Sequence, residues 1–171
     1  MKLALLLVAL VSATVTASSH VNHDHHKVMQ ATNWNIPATT ALVKEFEGLY
    51  LTAYICPAGV LTIGYGHTGS DVYTGMKITA AQATTYLTND LQKFANCVNS
   101  YVKVNLNPNQ RGSLTSFSFN LGCGALQGST LLKRINAGEN PNTVASEEMP
   151  RWVNGGGKVL PGLVRRRAAE V

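Results

Sequence analysis

The chain has 171 residues, of which 45% are hydrophobic and 13% are charged. These values are typical of one globular domain with a real core, and they exclude an intrinsically disordered chain. The formal net charge of +5 favours an anionic partner, such as a bacterial wall polymer, an anionic membrane or nucleic acid. No run of Lys and Arg is long enough to indicate nucleic acid. The one cluster, residues 165–167, is interpreted as a solvated helix face.

The first 17 residues have the pattern of a secretory signal peptide. Lys2 precedes an apolar run over residues 3–11, and small residues end at Ala17, where a signal peptidase can cleave. A membrane span needs roughly 20 apolar residues, and Ser12 already interrupts this run. The pattern therefore predicts a secreted protein, cleaved near Ala17, with no stable membrane anchor afterwards. An uncleaved anchor is the alternative.

Residues 18–36 are interpreted as a linker in front of a domain that spans residues 37–171. The linker contains residues that can bind a transition metal weakly, namely His20, His23, Asp24, His25 and His26. No fixed ligand geometry is visible in this spacing, so a polar leader is the preferred interpretation. No metal site and no cofactor are predicted for the domain.

The domain is predicted to begin with a short helix that is followed by two strands. Thr39 or Thr40 can cap a helix over residues 41–47, and Gly48 suits the left-handed position that ends a helix. Strand-forming residues are then enriched over residues 49–68, with Pro-Ala-Gly at 57–59 as an interruption. The pattern predicts two short antiparallel strands joined by a turn.

Helical periodicity dominates the rest of the chain. Thr79 and Gln82 form a capping box in front of a long helix, and Asn107 begins another helix with proline at the first position. Further helices are predicted to begin at Ser129 or Thr130, at Asn142 or Thr143, and at Pro161. The predicted class is α+β, with a small antiparallel β lobe and a larger helical lobe joined by the long helix. A ligand cleft is expected between the lobes.

The three cysteines are Cys56, Cys97 and Cys123. An odd number in an exported protein indicates one disulfide and one remaining thiol. Cys97 falls late in one helical stretch and Cys123 lies just past the end of another, so helix packing can bring them together. A Cys97–Cys123 disulfide is therefore predicted, although the sequence allows three pairings.

Glu47 is the carboxylate with the most distinctive position. It falls in the last turn of the predicted helix, where the negative end of the helix dipole disfavours another negative charge. Phe46 and Leu49 can exclude water from it. Both influences favour the protonated acid, which can donate a proton to a leaving-group oxygen. From position alone, a surface carboxylate without a catalytic role is the alternative.

The residues after Glu47 favour the catalytic interpretation. Eight residues separate Glu47 from Cys56, and five separate Cys56 from Thr62. The motifs around them are Phe-Glu-Gly-Leu at 46–49, Cys-Pro-Ala-Gly at 56–59 and Thr-Ile-Gly-Tyr-Gly-His-Thr at 62–68, followed by blocks at 116–122, 129–132 and 162–167. In this ordered set the chain resembles the phage-type lysozymes of glycoside hydrolase family 24. The resemblance covers roughly residues 40–171 and implies a lysozyme-like fold.

The resemblance implies hydrolysis of the β-1,4 bond between N-acetylmuramic acid and N-acetylglucosamine, with inversion at the anomeric carbon. Glu47 then matches the general acid, and Thr62 matches the residue that helps to hold the attacking water. Cys56 stands where the best-known members have Asp. A thiol with an ordinary pKa of about 8.5 is a weaker base, but it can position water or stabilise charge. Covalent attack by Cys56 and a disulfide role for it are the alternatives.

Two further residues are candidates for substrate binding. His67 follows the strand segment and can serve the cleft, although a hydrogen-bonded structural histidine is the preferred interpretation. Asn120 lies at the edge of the cleft in the resemblance, where its amide can bind a sugar hydroxyl or N-acetyl group. Capping of the helix C-terminus by Asn120 is equally open.

The leading prediction is a secreted, monomeric muramidase that acts on bacterial peptidoglycan, in defence against bacteria or in their digestion. A chitinase on the same scaffold would gain less from the positive charge. A wall-sugar-binding module that does not cleave is the second hypothesis, because Cys replaces Asp at position 56. A metal-binding secreted protein that uses the leader histidines is the third.

Overall fold

The computed structural model describes residues 34–56 and 59–171. The predicted signal peptide, the histidines of the predicted linker and the Pro-Ala pair at 57–58 lie outside the described residues. Trp34, near the end of the predicted linker, is 4% exposed and packs in the core. Within the described residues, no helix has the length and apolar character needed to cross a membrane.

The domain opens with a helix and an antiparallel pair of strands. Helix α1 (Ile36–Glu47) leads into β1 (Tyr50–Ile55) and β2 (Leu61–Gly64). The two strands pair antiparallel, with Tyr54 opposite Thr62, and the register shifts between Tyr50 and Tyr54. The predicted pair of strands is therefore confirmed.

The larger lobe is helical. Its elements are α2 (Ala80–Tyr101), α3 (Pro108–Leu121), α4 (Cys123–Gly128), α5 (Thr130–Asn136), α6 (Pro141–Glu148), a 3₁₀ turn (Met149–Arg151), the small hairpin of β3 (Asn154–Gly155) and β4 (Lys158–Val159), and α7 (Pro161–Glu170). The predicted α+β class, with a small sheet and a larger helical part, is confirmed.

Capping side chains decide where several of these helices begin. The predicted capping box of α2 is present, because Gln82 N donates to Thr79 Oγ1 at 3.2 Å and Thr79 N donates to Gln82 Oε1 at 2.8 Å. A second capping box joins Asn107 and Gln110 at the start of α3. Reciprocal bonds of this kind satisfy amide groups that a helix start leaves without partners.

Two predicted helix starts were wrong. The predicted caps of α1, Thr39 and Thr40, are buried inside the helix; Asn35 is the cap, and its Oδ1 accepts from Ala38 N at 3.2 Å. Helix α6 likewise begins earlier than predicted, because the side chain of Asn140 accepts from the amides of the first turn. In both helices proline occupies one of the first two positions after the cap, where its missing N–H costs nothing. Helix α4 was not predicted.

Helix α2 connects the lobes because its buried face contributes to three hydrophobic clusters in turn. Ala83 packs with Ile63 of β2 in the cluster of the β lobe. Leu87 and Leu91 then pack with Trp34 and α1, and near the end of α2 a further residue joins the large cluster of the helical lobe. The spacing of three to four residues along one face keeps these side chains in line. The β lobe is thus attached to the helical lobe through apolar burial along α2.

A disulfide joins Cys97 of α2 to Cys123 at the start of α4, with 6.1 Å between the Cα atoms. This is the pairing that the sequence analysis favoured. Gly122, with φ of +88°, ends α3 and turns the chain so that Cys123 faces α2. The bond therefore connects the long helix to the segment that follows α3.

Removing the disulfide should lower the free energy of unfolding. The two cysteines are 26 residues apart, and the chain-entropy model gives about 3 kcal/mol for closing a loop of that size. We expect the Cys97→Ser/Cys123→Ser variant to fold and to melt several degrees below the unsubstituted protein. Denaturation of both proteins with and without reductant is the measurement. Equal midpoints for the two proteins under oxidising conditions would contradict the expectation.

Candidate active site

Glu47 is the last residue of α1, and the chain turns away from the helix directly after it. Gly48 has φ of +72°, a conformation that favours glycine, and it leads the chain into β1. The Glu47 side chain is 24% exposed. The carboxyl group is therefore fixed at the point where the helical lobe meets the β lobe.

The side chain that pairs with Glu47 is Arg166 of α7. Arg166 Nη1 donates to Glu47 Oε1, and the guanidinium also lies over the ring of Phe46, 5.9 Å from its centroid. Arg166 is 3% exposed. A buried guanidinium is thus the ion-pair partner of the Glu47 carboxyl group. The sequence analysis had not identified this partner.

The interpretation of residues 165–167 as a solvated helix face was wrong. Arg165 is exposed, but Arg166 and Arg167 are among the most deeply buried side chains of the protein. Both form ion pairs with Glu170, which lies four and three residues further along α7. The spacing of two arginines before a glutamate on one helix was the available signal, because such pairs face each other.

A cavity of about 330 Å³ opens beside Glu47. Its lining residues come from α1, the segment after β2, α2 and α3, and they are Glu47, Gly66, Thr68, Asp90, Lys93, Phe94, Phe119 and Asn120. The predicted acid and the predicted sugar-binding amide therefore lie on one cavity. This is the concave, partly polar type of surface that binds small ligands in proteins.

Asn120 is held from behind by Arg167. Arg167 Nη2 donates to Asn120 Oδ1 at 3.0 Å, while the Arg167 guanidinium lies 5.1 Å from the centroid of the Phe117 ring. With its Oδ1 engaged by a buried cation, Asn120 has its Nδ2 left as a donor. Burial lowers the pKa of Arg167, and the nearby carboxylate of Glu170 opposes that change.

Cys56 and Thr62 are not among the described residues that line this cavity. Cys56 follows β1, is half-buried and takes no part in the disulfide. Thr62 is buried in β2, and its hydroxyl donates to the carbonyl of Val60 at 3.0 Å. The structure thus brings Glu47 and Asn120 together on the cavity but does not include the predicted water-holding residues in its lining.

Tyr54 connects the two parts of the site electrostatically. Burial raises the pKa of Tyr54, and the neighbouring groups Tyr50, Cys56 and Glu47 raise it further. The Tyr54 ring also packs against Tyr50, with centroids 4.4 Å apart. Glu47 and Cys56 therefore both act on the same phenol, although they come from different elements.

His67 has the surroundings of a structural histidine. Its Nδ1 lies 2.7 Å from Asp90 Oδ2, its Nε2 lies 3.2 Å from Asp71 Oδ2, and its ring stacks on Tyr86. Both ring nitrogens are thus engaged within the protein. The hydrogen bond from His67 lowers the pKa of Asp71. Since Asp90 lines the cavity, His67 contacts the site through Asp90.

The described part of the chain contains no group of three or more His, Cys, Asp or Glu side chains that could hold a metal ion. The histidines of the leader, which suggested weak metal binding, lie outside that part of the chain.

Comparison with known proteins finds relatives that are phage-type lysozymes, endolysins or muramidase domains. The model of the phage lysozyme family matches residues 44–170. The chain is 47% identical to the endolysin of Bacillus phage PZA over 131 residues, which are 75% of this chain and 50% of that endolysin. The chain therefore spans about half the length of this relative.

Solved structures agree with the sequence relatives. The muramidase domain of SpmX from Asticaccaulis excentricus is 38% identical, with a TM-score of 0.71, and the alignment covers 80% of this chain and 95% of that one. The endolysin from Escherichia coli O157:H7 phage FAHEc1 is 41% identical, with a TM-score of 0.69, over 78% of this chain and 87% of that one. The match of the family model and these identities show that the chain belongs to the phage lysozyme family.

Proposed function

We propose that this protein is a secreted muramidase that hydrolyses the β-1,4 bond between N-acetylmuramic acid and N-acetylglucosamine in bacterial peptidoglycan. The observation that carries the proposal is the position of Glu47, which a buried guanidinium holds on the wall of a cavity shared with Asn120. Family membership and the endolysin relatives support the same activity.

Glu47 acts as the general acid in the proposed mechanism. Its protonated carboxyl group donates to the glycosidic oxygen as the bond to the anomeric carbon breaks. Arg166 fixes the orientation of this carboxyl group and then stabilises the carboxylate that proton donation leaves behind. An acid that ends the step as an anion gains most from a cation that is already in place.

Thr62 and Cys56 hold the attacking water on the β-lobe side in this proposal. Water enters from the face opposite the leaving group, which inverts the anomeric configuration, and such enzymes keep roughly 6.5–9.5 Å between the acid and base groups. Asn120 Nδ2 donates to a sugar hydroxyl or to the carbonyl of an N-acetyl group. The net charge of +5 attracts the protein to the anionic wall polymer.

Secretion is part of the proposal, because the substrate lies outside the cytoplasm. The N-terminal pattern of a charged residue, an apolar run and small residues supports export. The disulfide between Cys97 and Cys123 also suits an oxidising compartment.

Analysis of the products of digested peptidoglycan tests the reaction. Purified peptidoglycan is incubated with the protein, the new reducing ends are reduced with borohydride, and the fragments are identified by mass spectrometry. We expect N-acetylmuramitol at the new ends, and proton NMR during digestion should show the α-anomer first. N-acetylglucosaminitol would indicate a different bond, and binding to peptidoglycan without new reducing ends would indicate a non-hydrolytic module.

Glu47→Gln should lower kcat by about 10²–10⁴-fold, because a carboxamide cannot donate the proton that the leaving oxygen needs. Glu45→Gln is the matched control, since Glu45 is an exposed glutamate on the same helix. Release of soluble fragments from peptidoglycan, with melting temperatures for both variants, is the measurement. Equal rates for Glu47→Gln and Glu45→Gln would remove Glu47 from the mechanism.

The role of Cys56 can be tested with two opposite substitutions. Cys56→Ala should lower kcat by about 10²-fold, because neither a base nor a water-holding group remains. Cys56→Asp should retain activity, since a carboxylate is a ready base at neutral pH. Rates of peptidoglycan digestion across pH 5–9 compare the variants. If Cys56→Ala cleaves like the unsubstituted protein, the thiol has no part in the reaction.

A further inference from the structure

We propose that Glu170, at the end of α7, is a positioning residue for both polar groups of the cavity, acting on Glu47 through Arg166 and on Asn120 through Arg167. The inference rests on the proposed function, because it deepens the role of the same site. Glu170 is not among the residues that line the cavity beside Glu47.

The Glu170 carboxylate is fully buried and binds three side chains. Its Oε1 accepts from Ser116 Oγ at 2.7 Å, from Arg166 Nε at 3.2 Å and from Arg167 Nη2 at 3.0 Å. Its Oε2 lies 2.8 Å from Arg167 Nε. Burial raises the pKa of Glu170, while Arg167, Ser116 and Arg166 oppose that rise by stabilising the carboxylate. One side chain thus holds both guanidiniums in fixed directions.

Each guanidinium extends from Glu170 to one polar group of the cavity. Arg166 uses Nε for Glu170 and Nη1 for Glu47, so it connects the two carboxylates directly. Arg167 uses the same Nη2 for Glu170 and for Asn120. The guanidinium group of arginine is planar and rigid, so its contacts with Glu170 and with the cavity residue fix its orientation together. The positions of Glu47 and Asn120 consequently depend on a residue behind the cavity wall.

The charges of this network balance. Two guanidiniums, those of Arg166 and Arg167, face the two carboxylates of Glu47 and Glu170 in a region from which water is largely excluded. Water does not compensate for a charge that is removed from such a site, so the interactions among the remaining charges change. Without the Glu170 charge, the excess positive charge would act on Glu47 and favour its carboxylate over the acid.

The contribution of this network to stability can be separated from its effect on the cavity. Buried ion pairs can often be replaced by apolar residues of similar volume without loss of stability. The helical lobe also contains a second buried carboxylate, Glu148, whose Oε1 lies 2.9 Å from Arg134 Nη1. That pair is not connected to the lining of the cavity beside Glu47. Glu148 therefore offers a matched control for a buried ion pair that only supports the fold.

The other charged or titratable groups around Glu47 stay unchanged when Glu170 is substituted. Tyr54 and Cys56 act from the β lobe, and Asp90 and Lys93 of α2 line the same cavity. Asp90 is itself paired with Lys93 at 2.8 Å. A change in the protonation of Glu47 after substitution of Glu170 therefore reflects the two guanidiniums that Glu170 pairs with.

The test compares Glu170→Gln with Glu148→Gln in the full chain. In Glu170→Gln, the limb of the kcat/KM profile that falls at high pH should move to lower pH by about one unit, because the uncompensated guanidiniums favour the Glu47 carboxylate. At a pH above that limb, the protonated fraction and the rate then fall about tenfold. Glu148→Gln should lower the melting temperature while the pH profile stays in place. A Glu170→Gln profile with its limb at the original pH would overturn the proposal.

A second measurement does not depend on activity. Carbon-13 NMR can follow the Glu47 carboxyl carbon against pH, with Glu47→Gln to assign the signal, and nitrogen-15 NMR can follow the Asn120 side-chain amide. In Glu170→Gln, we expect the Glu47 titration to move to lower pH and the Asn120 amide signals to shift. Unchanged titration and amide signals would overturn the proposal. If these signals move but peptidoglycan is not cleaved by the unsubstituted protein, only the proposed function fails.

Ser116→Ala provides the test if Glu170→Gln does not fold. This variant keeps every charge of the network and removes only the hydroxyl that donates to Glu170. Without this donor the Glu170 carboxylate should hold the two guanidiniums less firmly, so kcat should fall and the Asn120 side-chain amide signals should shift. Thr115→Ala is its control, because the Thr115 hydroxyl is also buried but donates to the carbonyl of Arg111. Asn120 amide signals that move no more in Ser116→Ala than in Thr115→Ala would contradict the proposal.

Discussion

A buried positive charge must have a negative partner, and this requirement joins the first and last helices of the domain. Arg166 of α7 reaches Glu47 of α1 across a sequence separation of 119 residues. Taking two charges out of water costs several kcal/mol for each ion, which only close pairing and further hydrogen bonds offset. Glu170, Ser116 and the ring of Phe46 supply these contacts. Glu47 is therefore held by the same contacts that join the last helix to the first.

The hydrophobic core gives this ion network a fixed frame. Helix α2 contributes to the cluster of the β lobe, to the cluster around Trp34 and to the large cluster of the helical lobe. Helix α3 packs against α2 and carries Ser116, Phe117 and Asn120, so it brings the core and the site into one element. The cavity lies where these helices meet the segment after β2. Its walls consequently belong to the two parts of the fold that α2 connects.

The proposed mechanism divides its roles between the lobes. The helical side would contribute the acid Glu47 and the amide of Asn120, each held by an arginine, and the β lobe would contribute Cys56 and Thr62. The phenol of Tyr54 is influenced from both sides, because Glu47 and Cys56 each raise its pKa. This arrangement suits a reaction in which a proton is given on one face of a sugar and water arrives on the other.

Local signals in the sequence predicted the elements well where a cap or a glycine decides the boundary. Thr79, Asn107 and Ser129 cap their helices as expected, because a capping bond needs only residues within one turn. The same reasoning chose Thr39 or Thr40 for α1 and missed Asn35, since several residues near a helix start can act as caps. The Cys97–Cys123 disulfide could also be predicted, because three cysteines allow only three pairings.

The sequence by itself determined the α+β class, the spacing from Glu47 to Cys56 and Thr62, and the family resemblance. Only the tertiary structure decided that Arg166 and Arg167 are buried and that Glu170 connects them to the cavity. A run of three arginines is compatible with a solvated helix face until the helix is packed against its neighbours. Besides the nearby Glu170, the partners of these arginines are Glu47 and Asn120, which are far away in sequence, and no local pattern specifies a contact over that distance. Long-range charge pairing depends on how the helices pack, which is why folding had to place the acid beside its guanidinium.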